Sequence, residues 1–542
     1  MLQFEKWIHV LLFMKLRAVS MFILCLGFTP IFAQTNKDTL LQIRSNYPVK
    51  RITYKDVPQE WMGASVQANE RKSASLSQVV KSINFMLNQA QTNGYPFAEI
   101  WLDSILVDTN GISLQLRLDQ GKLILFDSLE FGGTAKIKKQ FLFQYLSIKP
   151  GEPYNERLIK AADARLSELS YLKVNRPVGI YFYGNKAKPY VYIDERKASS
   201  FDGIIGFAPN SQLNNKLVLT GDLNLKLANL AGSGKSLEFG FRSFLNGSQD
   251  LQFKFAWPYF FKTRLGLDYA FKLLRFDTTY VDLFNEIGLQ YRFIGNNYVK
   301  FFFQQQQVNV LAPDTNFVRA FKTLPAFTDV RSSLYGIGLR HAQLDYALNP
   351  RKGFVVETDA ALGQRKILQN DAIENIRFQN QEGKSYTVYD SITMQSLQYK
   401  ANLCIGHYLA VSKNWVLFSQ ARGGVVYNRQ LFFNDLYRIG GLKTLKGFDE
   451  QSIFADAFSI ATLEMRYLFQ QNSNFLLFFN GAWYQNTAAS VRQSDLPYGF
   501  GAGMNLETGA GVLSLYYAVG SEKGNPPQWR SAKLHFGLVN YF

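Results

Sequence analysis

Residue types capable of chemistry are few in this chain of 542 residues, and most of them are dispersed. His9, His341, His407 and His535 stand singly, with no spacing that suits metal ligands. No serine sits in a nucleophile-elbow motif. Cys25 follows Phe22-Ile23-Leu24, which lack the small residues a lipid-anchoring site requires, and it lies in an N-terminal segment that reads as a removable leader. Loss of that leader leaves Cys404 alone, so neither a disulfide framework nor a cysteine metal site is available. The pattern predicts no enzyme, no metal and no cofactor. One segment does concentrate unusual residues: Tyr437 to Phe448, with Gly440-Gly441 followed by Leu445-Lys446-Gly447-Phe448. Glycines admit backbone turns that other residues resist, and the second group sets a cation beside a bulky apolar ring. Such a group positions chains rather than breaking bonds. The plainer alternative is that Lys446 is a solvated loop charge like Arg438 and Lys443.

The elements around this segment read as strands. From residue 201 onward, sixteen strand signals begin near Phe201, Lys216, Lys235, Ser248, Thr263, Asp282, Asn297, Ser333, Lys352, Met394, Asn414, Ala455, Asn474, Pro497, Gly511 and Ser531. The spacing of about 21 residues suits spanning strands of about 10 residues with alternating short and long connections. Short connections include 294–297, 411–413 and 470–473; long ones include 309–332, 367–393, 428–454, 487–496 and 520–530. In the twelfth strand Leu463, Met465, Tyr467 and Phe469 alternate with Thr462, Glu464 and Arg466, one face for lipid and one for a wet lumen. Leu534, Phe536, Leu538 and Phe542 share a face of the last strand, opposite Lys533 and His535. Aromatics make up 15% of the chain, yet charged residues reach 19%, and mean hydropathy is −0.12. No run of about 18 apolar residues follows the N-terminus, which argues against spanning helices. These features predict a transmembrane β-barrel, with a large water-soluble β-protein as the alternative. The net charge of +17 is spread along the chain without a basic block, so nucleic acid is not the expected partner. A polar lumen and anionic lipid headgroups account for it.

Residues 1–33 read as a secretory signal, with Lys15 and Arg17 ahead of the apolar run Val19 to Phe28, and Ala33 before Gln34 as the cleavage point. Met1 to Phe13 is superfluous to that signal, so Met14 is an alternative start. Residues 34–48 form a linker. Two mixed copies follow, at 49–121 and 122–198, ahead of the barrel region at 199–542. In the first copy Val79, Ile83, Leu87 and Ala90 mark a helix over Leu76 to Asn93, stopped by Gly94. Strands are expected at Phe97 to Asp108 and Ile112 to Leu118. The second copy is expected to hold strands at Leu123 to Phe131, Leu172 to Tyr183 and Tyr190 to Glu195, with a helix over Asn155 to Ser170. Lys149-Pro-Gly-Glu-Pro-Tyr-Asn-Glu156 precedes that helix, with Asn155 as its cap.

Several of these motifs resemble those of the outer-membrane assembly-factor superfamily, which includes BamA and TamA types and the two-partner secretion transporters. The Gly440–Phe448 segment resembles the family's sixth outer-loop motif, Gly-Gly followed by (Val/Leu)-Arg-Gly-(Phe/Tyr). Each mixed copy resembles a polypeptide-transport-associated (POTRA) domain. Asn349-Pro350 and Gly353 resemble a turn of the family, and Tyr498 to Ala518 its glycine-rich closing region. The resemblance implies a 16-stranded antiparallel transmembrane β-barrel behind two small α+β POTRA-like domains. It implies that the sixth loop folds into the lumen and that its cation pairs with acidic residues of strands 12 and 13. Here Lys446 stands in the arginine position, Glu464 in the first acidic position, and Asn480 where an aspartate is usual. A single neutral pair of Lys446 with Glu464 is then expected, with Asn480 accepting a hydrogen bond from the ammonium. Glycines 499, 501 and 503 would weaken their strand. A weak seam is expected between Phe201–Pro209 and Leu534–Tyr541, with the terminal Phe542 acting as an insertion signal. The implied location is the bacterial outer membrane with the POTRA-like domains in the periplasm. The implied partners are unfolded or nascent polypeptides, outer-membrane lipid and periplasmic or lipoprotein accessory subunits. The implied function is assistance in inserting or translocating other polypeptides by β-augmentation. An exporter of one dedicated substrate is an alternative, though Thr35 to Pro48 is short for the plug helix such exporters carry. A passive pore with a periplasmic spacer is another.

Overall fold

The computed structural model describes residues 49–541 apart from 65, 68–72, 109–110, 211–215, 244–247, 347, 443, 489–491 and 509–510. The expected leader and linker, and Phe542, lie outside the described residues. Two compact units divide the chain: residues 1–128, 149–160 and 180–189 form one, and 129–148, 161–179 and 190–542 the other.

The first unit is built on a three-stranded sheet. Glu99–Asp108 pairs antiparallel with Gly111–Asp119 through a bulge after Leu102, and Val49–Lys55 adds parallel on the other side. The helix Leu76–Thr92 is the one its apolar spacing predicts. Ser75 starts it: its hydroxyl accepts from the Gln78 N–H, while the Gln78 side chain accepts from the Ser75 N–H. Val79 of this helix packs with Ile52 and Leu116 of the sheet. Leu125–Phe126 pairs parallel with Lys186–Ala187.

In the second unit Glu130–Gly132 pairs parallel with Tyr190–Tyr192. The single strand expected over Leu123 to Phe131 is therefore two short ones, Leu125–Phe126 and Glu130–Gly132. The helix Lys139–Leu146 was not expected; its eight residues, rich in Phe and Tyr, carry no periodicity that separates helix from strand. The next helix, Glu156–Ser167, is close to its expected position, with residues 156–160 counted in the first unit and the rest in the second.

The rest of the second unit is one large antiparallel sheet of sixteen long strands. They are strand 1 (Ser200–Asn210), 2 (Lys216–Leu230), 3 (Lys235–Ser243), 4 (Gln249–Trp257), 5 (Leu265–Phe276), 6 (Tyr280–Arg292), 7 (Tyr298–Val310), 8 (Val330–Leu344), 9 (Gly353–Ile367), 10 (Gln395–Ala410), 11 (Trp415–Tyr427), 12 (Ala457–Leu468), 13 (Asn474–Asn486), 14 (Tyr498–Thr508), 15 (Gly511–Ser521) and 16 (Lys533–Tyr541). A three-residue strand, Gln493–Asp495, extends the pairing of strand 13 ahead of strand 14. Neighbours in sequence are neighbours in the sheet, and the ring returns from strand 16 to strand 1. Side chains alternate across the wall. Leu463 is 51% exposed on the outer face, beside Phe479 and Leu477 of strand 13, while Thr462 and Glu464 on the inner face are buried. The turns after strands 2, 4, 6, 8, 10 and 12 lie at one rim. Residues 129–148 pack on that rim: the Lys138 N–H donates to the Gly232 carbonyl (2.8 Å), and the Gly295 N–H to the Tyr145 carbonyl (3.1 Å). At the opposite rim the long connections fold over the strand ends. Val318, Leu324, Ile373, Val388, Tyr389 and Phe432 from those connections make one apolar core with Tyr280, Val308, Val330 and Ile367 of the strands.

Candidate functional site: the inner hairpin and the seam

The connection between strands 11 and 12 doubles back as a hairpin, Tyr437–Ile439 paired with Ile453–Ala455. Alternation places Phe458 and Ile460 on the inner face of strand 12, and Ala482 and Tyr484 on that of strand 13. Leu445 and Phe448 of the hairpin pack against these four residues, and Leu445 is wholly buried. The motif therefore lies inside the barrel. The tip is tied locally. The Gly440 N–H donates to the Thr444 hydroxyl (2.9 Å), which donates back to the Gly440 carbonyl (2.8 Å), and the Leu442 N–H donates to the Glu450 carboxylate (2.9 Å). Gly447 holds φ +97°, where a side chain is strained, and a Cβ there would lie 2.8 Å from the Val519 carbonyl carbon. Gly499 meets the tip from the wall: a Cβ would fall 2.1 Å from the Lys446 carbonyl oxygen. Gly499 thus serves close approach of two backbones as well as any weakening of the strand.

Lys446 Nζ lies 3.0 Å from Glu464 Oε1. The other carboxylate oxygen accepts two bonds from Arg466, from Nε at 2.9 Å and Nη2 at 2.6 Å. Glu464 is 5% exposed. The expected neutral pair is thus a three-charge cluster with one positive charge in surplus. Aromatic faces accompany the cations: Arg466 lies 4.6 Å from the Phe418 ring centre, and Lys446 lies 5.2 Å from that of Phe478. Arg466 sits two residues from Glu464 on the same strand face, so period-2 alternation puts it on the lumen side; sequence reasoning placed it there without pairing it. Asn480 corrects the expectation made for it. It is fully buried, in register between Thr462 and Gly499, and neither atom of its amide meets a hydrogen-bond partner among the described residues. Lys446 makes its bond to Glu464 instead.

Two further pairs were not anticipated. Arg365 of strand 9 and Asp435 at the foot of the hairpin are 2.8 Å apart and 1% and 5% exposed. Asp449, just past the motif, pairs with Lys533 at the start of strand 16 (2.8 Å), with the carboxylate largely exposed. A cavity of about 650 Å³ opens beside the tip, lined by Phe448, Asp449, Tyr484, Lys523 and Lys533 among others.

At the seam, strand 16 meets strand 1 through Asn540↔Phe201 and Tyr541↔Ser200 among the described residues. The expected pairing along Phe201–Pro209 is therefore much shorter. Strand 1 is paired with strand 2 along its whole length, and strand 16 with strand 15 from Lys533 to Val539. Their facing edges thus carry backbone groups outside the closing pairs. Phe536 and Leu538 stand opposite Leu515 and Leu513 in the register of strand 15.

Among the described residues no group of three or more His, Cys, Asp or Glu side chains is arranged to hold a metal ion. Among the same residues no helix is long and apolar enough to cross a membrane, which says nothing of strands.

The sheet resembles solved structures over nearly its whole length. CdiB from Escherichia coli aligns with 13% identity and a TM-score of 0.55, covering 95% of this chain and 94% of that one. CdiB from Acinetobacter baumannii aligns with 11% identity and a TM-score of 0.54, covering 98% of each. BamA from Haemophilus ducreyi lacking POTRA domains 1–3 aligns with 15% identity over 92% of this chain and all of that one, at a TM-score of 0.43. No curated protein sequence matches the chain. The Omp85 superfamily domain matches residues 229–542, from the end of strand 2 through the inner hairpin to the terminus. Sixteen antiparallel strands, a hairpin turned into the lumen and that match together place this chain in the Omp85 superfamily of outer-membrane β-barrel proteins.

Proposed function

We propose that this protein assists the insertion or translocation of other polypeptides at the seam between strands 1 and 16, with the hairpin holding the barrel in its resting form. The observation that carries this reading is the short closure. Most of the facing edges of strands 1 and 16 is left outside the two closing pairs. An extended client strand adds to such edges through main-chain hydrogen bonds, which need no particular client sequence. A second edge of the same kind exists in the first unit. Glu99–Asp108 is an outer strand of its sheet and exposes Trp101, Leu106 and Val107. In this reading the modules ahead of the barrel are POTRA domains in the periplasm that receive the client first, and accessory subunits dock there. Strand pairing and burial of client side chains supply the free energy, with no nucleotide.

The test is a lock across the closing pair. Phe201→Cys and Asn540→Cys are combined in a chain whose Cys25 and Cys404 are replaced by Ser, because the two positions are paired across the seam. The oxidised protein is expected to keep a heat-modifiable barrel, lose activity, and regain it on reduction. An oxidised protein with full activity would defeat the gating reading. Depletion then identifies the client class. General loss of outer-membrane barrels supports assembly, loss of one secreted protein supports a dedicated exporter, and loss of neither supports a pore.

A further inference from the structure

We infer that the turn from Trp257 to Lys262 is a membrane foot: it inserts into the headgroup layer of the leaflet at the short-turn rim and grips the helix Lys139–Leu146 from there. The inference rests on the reading of the sheet as a membrane barrel. The turn has two faces. Its inner face is Tyr259, 6% exposed, with its ring edge-on to Phe141 at 5.6 Å. The Lys262 carbonyl accepts a bond from the Gln144 side chain (3.0 Å). The outer face is a cluster of rings: Trp257 edge-on to Phe260 at 4.6 Å, Phe260 tilted against Phe261 at 4.1 Å, with Phe261 75% exposed.

Continuity with the outer wall identifies what covers that cluster. Alternation puts Leu251, Phe253, Phe255 and Trp257 on one face of strand 4. Leu251, Phe253 and Phe255 pair with Phe241, Phe239 and Leu237 of strand 3, and with Leu273, Phe271 and Tyr269 of strand 5. Trp257 continues these apolar rows to the rim. Lys235, the first residue of strand 3, lays its ammonium 3.8 Å from the Trp257 ring centre. Aromatic rings with a lysine over them, at the end of an apolar band, are the composition of a bilayer interface; the stem of the lysine covers apolar surface while its charge meets anionic headgroups. The backbone adds an independent argument. Tyr259, Phe261 and Lys262 all hold positive φ (55°, 47° and 67°), each at a cost of about 1–2 kcal/mol. Glycine would adopt these angles without that cost. Here the strain turns Tyr259 inward and Phe261 outward within three residues, so one turn binds two partners.

The test labels single cysteines with a nitroxide in the Cys25→Ser, Cys404→Ser chain, reconstituted in liposomes of phosphatidylethanolamine and phosphatidylglycerol. The positions are Phe261→Cys, Leu339→Cys on the outer wall of strand 8 and Lys160→Cys on an exposed helix face. At Phe261, collision with oxygen relative to a polar nickel chelate is expected to match Leu339 and to exceed Lys160 several-fold. A Phe261 label as wet as Lys160, with Leu339 in lipid, overturns the foot and leaves the barrel reading standing. A wet Leu339 overturns the barrel reading, and the foot with it. The grip has its own readout. Phe261→Asp, at an exposed position, is expected to raise amide exchange of residues 141–146 several-fold in liposomes; unchanged exchange would refute the coupling.

Discussion

At the residue scale the inner site turns on Glu464. A carboxylate with two cations is the member of the cluster whose loss strands the most charge. Replacing Glu464 by Ala leaves Lys446 and Arg466 half-buried without their shared counter-charge, at a cost of about 3 kcal/mol. Replacing Lys446 by Ala leaves the Arg466 fork intact and the carboxylate still neutralised, so the expected cost is smaller, about 1–3 kcal/mol. Urea midpoints in lipid are the check, and equal losses in the two variants would contradict the three-charge arrangement. Lys446 and Glu464 were legible from motif and position. Arg466 was legible in principle, from alternation alone. The environment of Asn480 was not, because whether an amide finds a partner depends on shifts of less than an ångström that no residue pattern encodes.

At the scale of elements, the hairpin stays in the lumen because two backbones touch. Gly499→Val would set a branched side chain where even a Cβ lies 2.1 Å from the Lys446 carbonyl oxygen. The expected outcome is a barrel that still assembles with its hairpin tip displaced, so that trypsin cuts after Lys446 in intact membranes while the parent chain resists. Resistance in the variant would mean that the tip does not depend on this approach. The glycines of strand 14 were noticed in the sequence as strand-weakening. The role of Gly499 as a landing site needed coordinates, since the loop that lands on it comes from about 50 residues earlier in the chain. The helix Lys139–Leu146 was missed for a different reason. Its residues gain their order by packing on the barrel rim, through Phe141 on Tyr259 and Gln144 on Lys262, and tertiary contacts of that kind override weak local preference.

For the whole molecule, the question is what occupies the middle of the ring. The inner hairpin fills part of it, and the long connections build an apolar core over the strand ends at one rim. A passive pore would need neither. Removal of residues 371–391, which carry Ile373, Val388 and Tyr389 of that core, is expected to raise single-channel conductance in planar bilayers several-fold over the intact chain. An intact chain that already conducts as widely as the deleted one would favour the pore. The buried pair of Arg365 with Asp435 ties the hairpin's foot to strand 9, so such a deletion need not release the hairpin itself.

Strand number and strand faces were determined by the sequence alone. Each rests on local periodicity: side chains alternate every second residue, apolar against polar, and turn residues punctuate the runs. The tertiary structure decided the rest. It set how little of strand 16 pairs with strand 1, which carboxylate serves two cations, and which turn carries rings on one side and a helix on the other. These are contacts between residues tens to hundreds of positions apart. Their energies depend on distance and exclusion of water, and neither exists until the sheet has curled.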